Sequence, residues 1–186
     1  SKVEDLERRI RKILREVEEI SERVNRALKR LLDENRKHSE KIIRELEELL
    51  RRLEEEVRTK GGEAREVVEA IKEIVERAKR LVDEDRRLNE ESRKRAKELV
   101  DESRKTLEEV VKEVRKLAEE LEKDNIDKSL VDRVRKAVEE AEERIRRLIE
   151  NNERSLRRHE EAIKKTIEES DKVLEDVRRR AEELLK

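Results

Sequence analysis

The sequence contains no proline, cysteine, methionine, tryptophan, tyrosine or phenylalanine, and its two glycines are adjacent, at Gly61 and Gly62. The missing prolines leave no internal helix breaker. The missing cysteines exclude disulfides and thiolate chemistry and leave the redox compartment open. The missing aromatics exclude the usual large core anchors. Charge of one sign is also missing, because 52 Lys and Arg balance 53 Asp and Glu to a net −1. Such interspersed charge argues against a nucleic-acid partner or an acidic membrane surface. Apolar runs do not exceed pairs such as Leu31-Leu32 and Ile42-Ile43, far short of the roughly 20 residues of a membrane span. The opening residues carry no apolar signal-peptide segment, so no targeting is expected, and the chain should be soluble and cytosolic in an expression host.

What is present is Leu, Val, Ile and Ala spaced among Glu, Arg and Lys, with 56% charged and 32% apolar residues. That is the composition of long packed helices. Disorder would also suit a low apolar fraction, but disorder predicts high net charge and no periodicity. Here the net charge is near zero and the periodicity is strict, which fits an elongated helical assembly with much surface and little interior.

Two short interruptions divide the 186 residues. Thr59-Lys60-Gly61-Gly62 offers a left-handed position at Gly61 and a start at Gly62. Asp124-Asn125-Ile126-Asp127 offers Asp127 as an N-cap, with Ile126 and Val131 at hydrophobic-staple positions. Ser1-Lys2-Val3-Glu4 reads as a capping box. The expected helices are therefore about 2–59, 63–123 and 128–186, each about 85–90 Å long at 1.5 Å per residue. Loops this short force neighbouring helices to run antiparallel. The fold class is all-α: a single up-down-up antiparallel three-helix bundle over residues 1–186, coiled-coil-like, with nearly straight helices.

The apolar seam of the first helix runs Val3, Leu6, Ile10, Ile13, Val17, Ile20, Val24, Ala27, Leu31, Asn35, His38, Ile42, Leu46, Leu49, Leu53, Val57. Fifteen steps cover 54 residues, a mean of 3.6, the repeat of a straight helix and not the 3.5 of a supercoiled heptad. The seam starts as a strict heptad and takes its extra residue between Leu31 and Asn35. A second line through Leu14, Leu28, Leu32, Ile43 and Leu50 widens the face to that of a bundle interior. The outer faces carry i,i+4 pairs such as Glu4–Arg8, Asp5–Arg9 and Glu7–Arg11, worth a few tenths of a kcal/mol each. The basic runs Arg93-Lys94-Arg95 and Arg178-Arg179-Arg180 read as solvated helix face, not as phosphate-binding patches, because acidic residues flank them.

The residues that break the seam carry the remaining information. The first helix carries Ser21, Asn25, Asn35, His38 and Ser39. The second carries Asp85, Asn89, Ser92, Ser103 and Thr106, and the third carries Asn152, Ser155, His159, Thr166 and Ser170. In the antiparallel topology, residues of the first two helices at one height should have numbers adding to about 122. Residues of the third should sit about 128 above their partners in the first. On that ruler Ser21 and Asn25 meet Ser103, Asn152 and Ser155. Asn35 meets Asn89, with Ser92 and His159 a turn below. His38 meets Asp85 and Thr166, with Ser39 beside them. Unpartnered buried polar groups cost about 1–3 kcal/mol, so such groups must come in sets that satisfy one another. Matched sets penalise slipped registers, which an otherwise repetitive Leu/Val/Ile bundle needs.

The Ser-capped start, the Gly-Gly and Asp-Asn-Ile-Asp loops, the Glu/Arg/Lys surface and the layered Ser, Asn, His and Thr positions together resemble computationally designed helical bundles with buried hydrogen-bond networks. The resemblance covers the whole chain, is one of style and not of motif, and implies a de novo origin, high stability and no natural ligand. It lacks the buried Phe or Trp of natural three-helix domains such as spectrin-type repeats.

No catalytic, cofactor-binding or metal-binding residue is expected, and no cofactor. The two histidines lie about 10 Å apart in level and have no second His or Cys at ligand spacing, which argues against a tetrahedral metal site. His38 near Asp85 has no nucleophile or oxyanion hole with it, and a filled three-helix seam leaves no pocket for an enzyme. The reading is a monomeric scaffold, not an enzyme, that requires no partner. The alternative is an interaction module or a component of a larger helical oligomer, pH-responsive through buried His.

Overall fold

The computed structural model describes residues 1–60 and 65–185. Three α-helices account for nearly all of them: α1 (Lys2–Lys60), α2 (Arg65–Glu122) and α3 (Lys128–Leu185), in an up-down-up three-helix bundle. The expected Gly61-Gly62 turn, the expected start of α2 at residue 63 and the expected last helical residue, 186, lie outside the described residues.

The ends of the helices follow from local chemistry. The Ser1 hydroxyl accepts the Glu4 backbone N–H at 3.3 Å, and the Ser1 carbonyl accepts the N–H of Asp5 at 3.1 Å. This satisfies donors that the first turn cannot pair internally. After α2, Asn125 adopts φ 55°, a left-handed conformation that asparagine tolerates better than most residues. The Asp127 carbonyl then accepts the N–H groups of Leu130 and Val131, each at 2.9 Å, and opens α3.

Contacts group the described residues into two units, each drawing a segment from every helix. Unit 1 comprises residues 1–29 and 95–158, and unit 2 comprises residues 30–94 and 159–186. In unit 1, Val3, Leu6 and Ile10 of α1 pack with Val114, Ala118 and Leu121 of α2 and with Val134 and Ala141 of α3. A second cluster joins Val17, Leu107, Ile145 and Leu148. Ile126 and Leu130 cover the end of the first cluster. In unit 2, Ile42, Leu46, Leu49 and Leu53 pack with Val67, Ile71, Ile74, Ala78 and Val82 and with Leu174, Val177 and Ala181. These cores are entirely aliphatic. Each fully buried Leu, Ile or Val contributes about 1.5–3 kcal/mol by leaving water.

The seam of α1 departs from the expected one in its middle. After Val17 it passes through Ser21, Leu28, Asn35 and Ser39 to Ile42, all buried, while Ile20 and Ala27 are only half-buried. The extra residues therefore enter at Val17→Ser21 and at Asn35→Ser39, not between Leu31 and Asn35. A seam traced through apolar residues alone passes over a buried serine one position away. At the surface, Arg8 pairs with Asp5 instead of the expected Glu4.

Candidate functional site: the buried polar layers

Ten polar side chains are buried among the described residues: Ser21, Asn35, Ser39, Asp85, Asn89, Ser92, Ser103, Asn152, His159 and Ser170. Each occupies a seam position of its helix, where the 3.6-residue repeat turns it inward.

In unit 1 one residue of α3 joins the other two helices. The Ser21 hydroxyl donates to Asn152 Oδ1 at 2.9 Å, and Asn152 Nδ2 donates to Ser103 Oγ at 3.2 Å. Asn152 suits this place because a carboxamide offers an acceptor and a donor on opposite edges. One turn from Ser21, Asn25 is half-buried, and its Oδ1 is shielded from solvent with no hydrogen-bond partner among the described residues. Ser155 is half-buried and joins none of these bonds.

In unit 2 five residues form a chain of donors that ends on a carboxylate. Asn35 Nδ2 donates to Asn89 Oδ1. Asn89 Nδ2 lies 2.7 Å from the backbone carbonyl of Asp85 and 3.5 Å from Ser39 Oγ. Ser39 donates to Asp85 Oδ1 and Ser170 to Asp85 Oδ2, both at 2.7 Å. Asp85 is fully buried. The two hydroxyl bonds come from α1 and α3 onto a residue of α2.

The last set is a pair. Ser92 Oγ lies 3.2 Å from His159 Nε2, and His159 Nδ1 is buried with no partner among the described residues. Whichever tautomer is present, one ring nitrogen is unpaired. Burial holds the His159 pKa below the ordinary 6.5, against a smaller opposing pull from Glu160.

Two expected members lie elsewhere. His38 is exposed and makes no layer with Asp85, because the seam steps four residues from Asn35 to Ser39. Thr166 is half-buried and donates to the carbonyl of Ala162 in its own helix at 2.9 Å. The α3 residue that reaches Asp85 is Ser170, one turn further on. The sequence marked Ser170 as a break in the seam but assigned it to no layer. The ruler was short by up to a turn: Asn35–Asn89 and Ser39–Asp85 have numbers adding to 124, and Ser21 and Asn152 are 131 apart.

Among the described residues no three His, Cys, Asp or Glu side chains gather as metal ligands. A groove of about 630 Å³ on unit 1 is walled by Asp5, Arg8, Arg9, Lys12, Glu16 and Glu113 around Ile13, with both signs of charge. No helix among the described residues is long and apolar enough to cross a membrane.

No protein family matches the sequence, and no curated protein does. The chain is similar in fold to a solved structure described as a "computationally designed three helix bundle", with TM-score 0.69 and 16% identity over 98% of this chain and 87% of that one. That likeness defines the class: a long-helix, three-helix bundle.

Proposed function

We propose that this chain is a structural scaffold of designed origin, with no natural biochemical activity, in which the buried polar layers fix the register of the three helices. The observation that carries the reading is Asn152, which accepts from α1 and donates to α2 in one layer. In unit 2, a one-heptad slip of α1 against α2 would set Asn35 against Val82, or Asp85 against Leu32 or Leu46. Each mismatch strands a buried polar group at about 1–3 kcal/mol. The same slip between purely aliphatic layers would exchange Leu for Val at small cost. The designed character of the fold neighbour and the absence of aromatic residues support the same origin. The scaffold is read as a monomer without cofactor or catalytic role, and light scattering should return a mass near 22.5 kDa.

The test replaces all ten buried polar residues, serines by Ala and the others by Leu. Because the chain has no cysteine, introduced pairs report register without interference. The pair E18C/R144C marks the observed register, and E18C/N151C marks a one-heptad slip. The parent should cross-link only through the first pair. The apolar variant should be at least as stable yet cross-link through both. If it remains exclusive to the first pair, the layers do not set the register.

A further inference from the structure

We infer that the Ser92–His159 layer is an acid-triggered opening point of unit 2: protonating the buried imidazole leaves an N–H without an acceptor and separates α3 from α2 locally. This goes beyond the scaffold reading and does not need it, since it rests on the ring's burial and its unpaired nitrogen.

His159 is 2% exposed, and Ser92 on α2 is the one hydrogen-bond partner found for its ring. A neutral imidazole tolerates this, with one nitrogen bonded to the hydroxyl and the other idle. An imidazolium carries two N–H donors. Ser92 Oγ can accept from Nε2, but nothing among the described residues lies in reach of Nδ1. Protonation would therefore bury both a charge and an orphaned donor.

The charged neighbours do not offset this. On α3, Glu160 is half-buried and favours the charged ring, but less strongly than burial disfavours it, while Arg157, Arg158 and Glu161 are exposed. On α2, Glu91, Arg93 and Arg95 flank Ser92 and are exposed. On α1 the Arg180–Glu54 pair gives an offset of 126 and the two serines on Asp85 an offset of 131, which set residues 28–33 at the level of His159, of which 30–33 belong to unit 2. There Leu31 and Leu32 are half-buried, and Arg30 and Asp33 are exposed. The other layers of unit 2 lack this weakness, since Asp85 receives two hydroxyls and Asn89 is bonded through both ends of its amide.

The direction follows from linkage. In the open state the ring takes a proton near 6.5, and in the closed state only at lower pH. Between those values the open state binds more protons, so acid favours opening. The effect is absent above about 6.5 and saturates once the closed ring itself is protonated.

The test uses the full chain carrying H38Q, which leaves His159 as the sole imidazole. NMR should place its midpoint below 6.5. Amide exchange around residues 89–96 and 156–163, corrected for intrinsic rate, should accelerate as pH falls from 6.5 towards 5, by up to about tenfold per pH unit. H159L should remove that acceleration. If H159L does not fold, S92A serves instead: it deprives the imidazolium of its one acceptor and should lower the midpoint further. A midpoint at or above 6.5, acid acceleration unchanged in H159L, or a midpoint unmoved or raised in S92A would each overturn the proposal.

Discussion

Ser170 donates its hydroxyl to Asp85 Oδ2 at 2.7 Å, the same distance at which Ser39 reaches Oδ1 from another helix. The carboxylate is thus held on both oxygens by neutral donors from two different helices. S170A leaves one oxygen of a fully buried acid without its hydroxyl. Stability in urea should fall by about 1–3 kcal/mol. The triple variant S39A/D85L/S170A removes acid and donors together and should recover most of that loss. A silent S170A would mean that Ser170 does not hold the carboxylate.

Asn25 makes the opposite case. Its Oδ1 is buried without a partner, so the side chain contributes desolvation and no bond. N25L should raise the urea midpoint by the equivalent of about 1 kcal/mol. Unchanged or lower stability would indicate that a water satisfies the oxygen.

The two histidines should behave differently although both lie near a run of polar seam residues. H38L alters an exposed position and should change stability by less than about 0.5 kcal/mol. H159A empties a buried site and strands Ser92, and should cost about 2 kcal/mol or more. Comparing the two melts at pH 7.5, above the acid window, isolates packing from protonation.

These contrasts show how far the sequence could be read. The three helices, the second turn and the inward positions at the two ends of α1 follow from the spacing of aliphatic residues, the capping residues and the antiparallel constraint of short loops. The polar layers followed only to within a turn. Ser21, Ser103 and Asn152 could be paired because all three sit on seams at one height. A strict count from Leu31 and Asn35 lands on His38, whereas the real seam admits its second extra residue just after Asn35 and turns Ser39 inward instead. Thr166 and Ser170 both sit on the α3 seam, and a ruler short by a few residues could not choose between them. The side-chain orphans at Asn25 and His159 depend on sub-ångström placement, which periodicity does not carry.

The exposed ion pairs between helices should each matter little. E54Q removes the contact with Arg180 and should cost about 0.2–1 kcal/mol at low salt. At about 1 M salt, where screening acts within about 3 Å, parent and variant should converge. A larger, salt-independent loss would point to packing by the glutamate stem instead.

Those weak pairs nevertheless share a geometry. Glu7–Arg133, Glu18–Arg144 and Glu54–Arg180 are all separated by 126 residues. Displace α3 by seven residues and the aliphatic stripe still finds aliphatic neighbours, but Glu7 meets Glu140 or Ile126, Glu18 meets Asn151 or Ala137, and in one direction Glu54 meets Val173. On the register reading proposed above, the surface would work as a vernier: marks too faint to bind anything individually coincide at one setting of the scale.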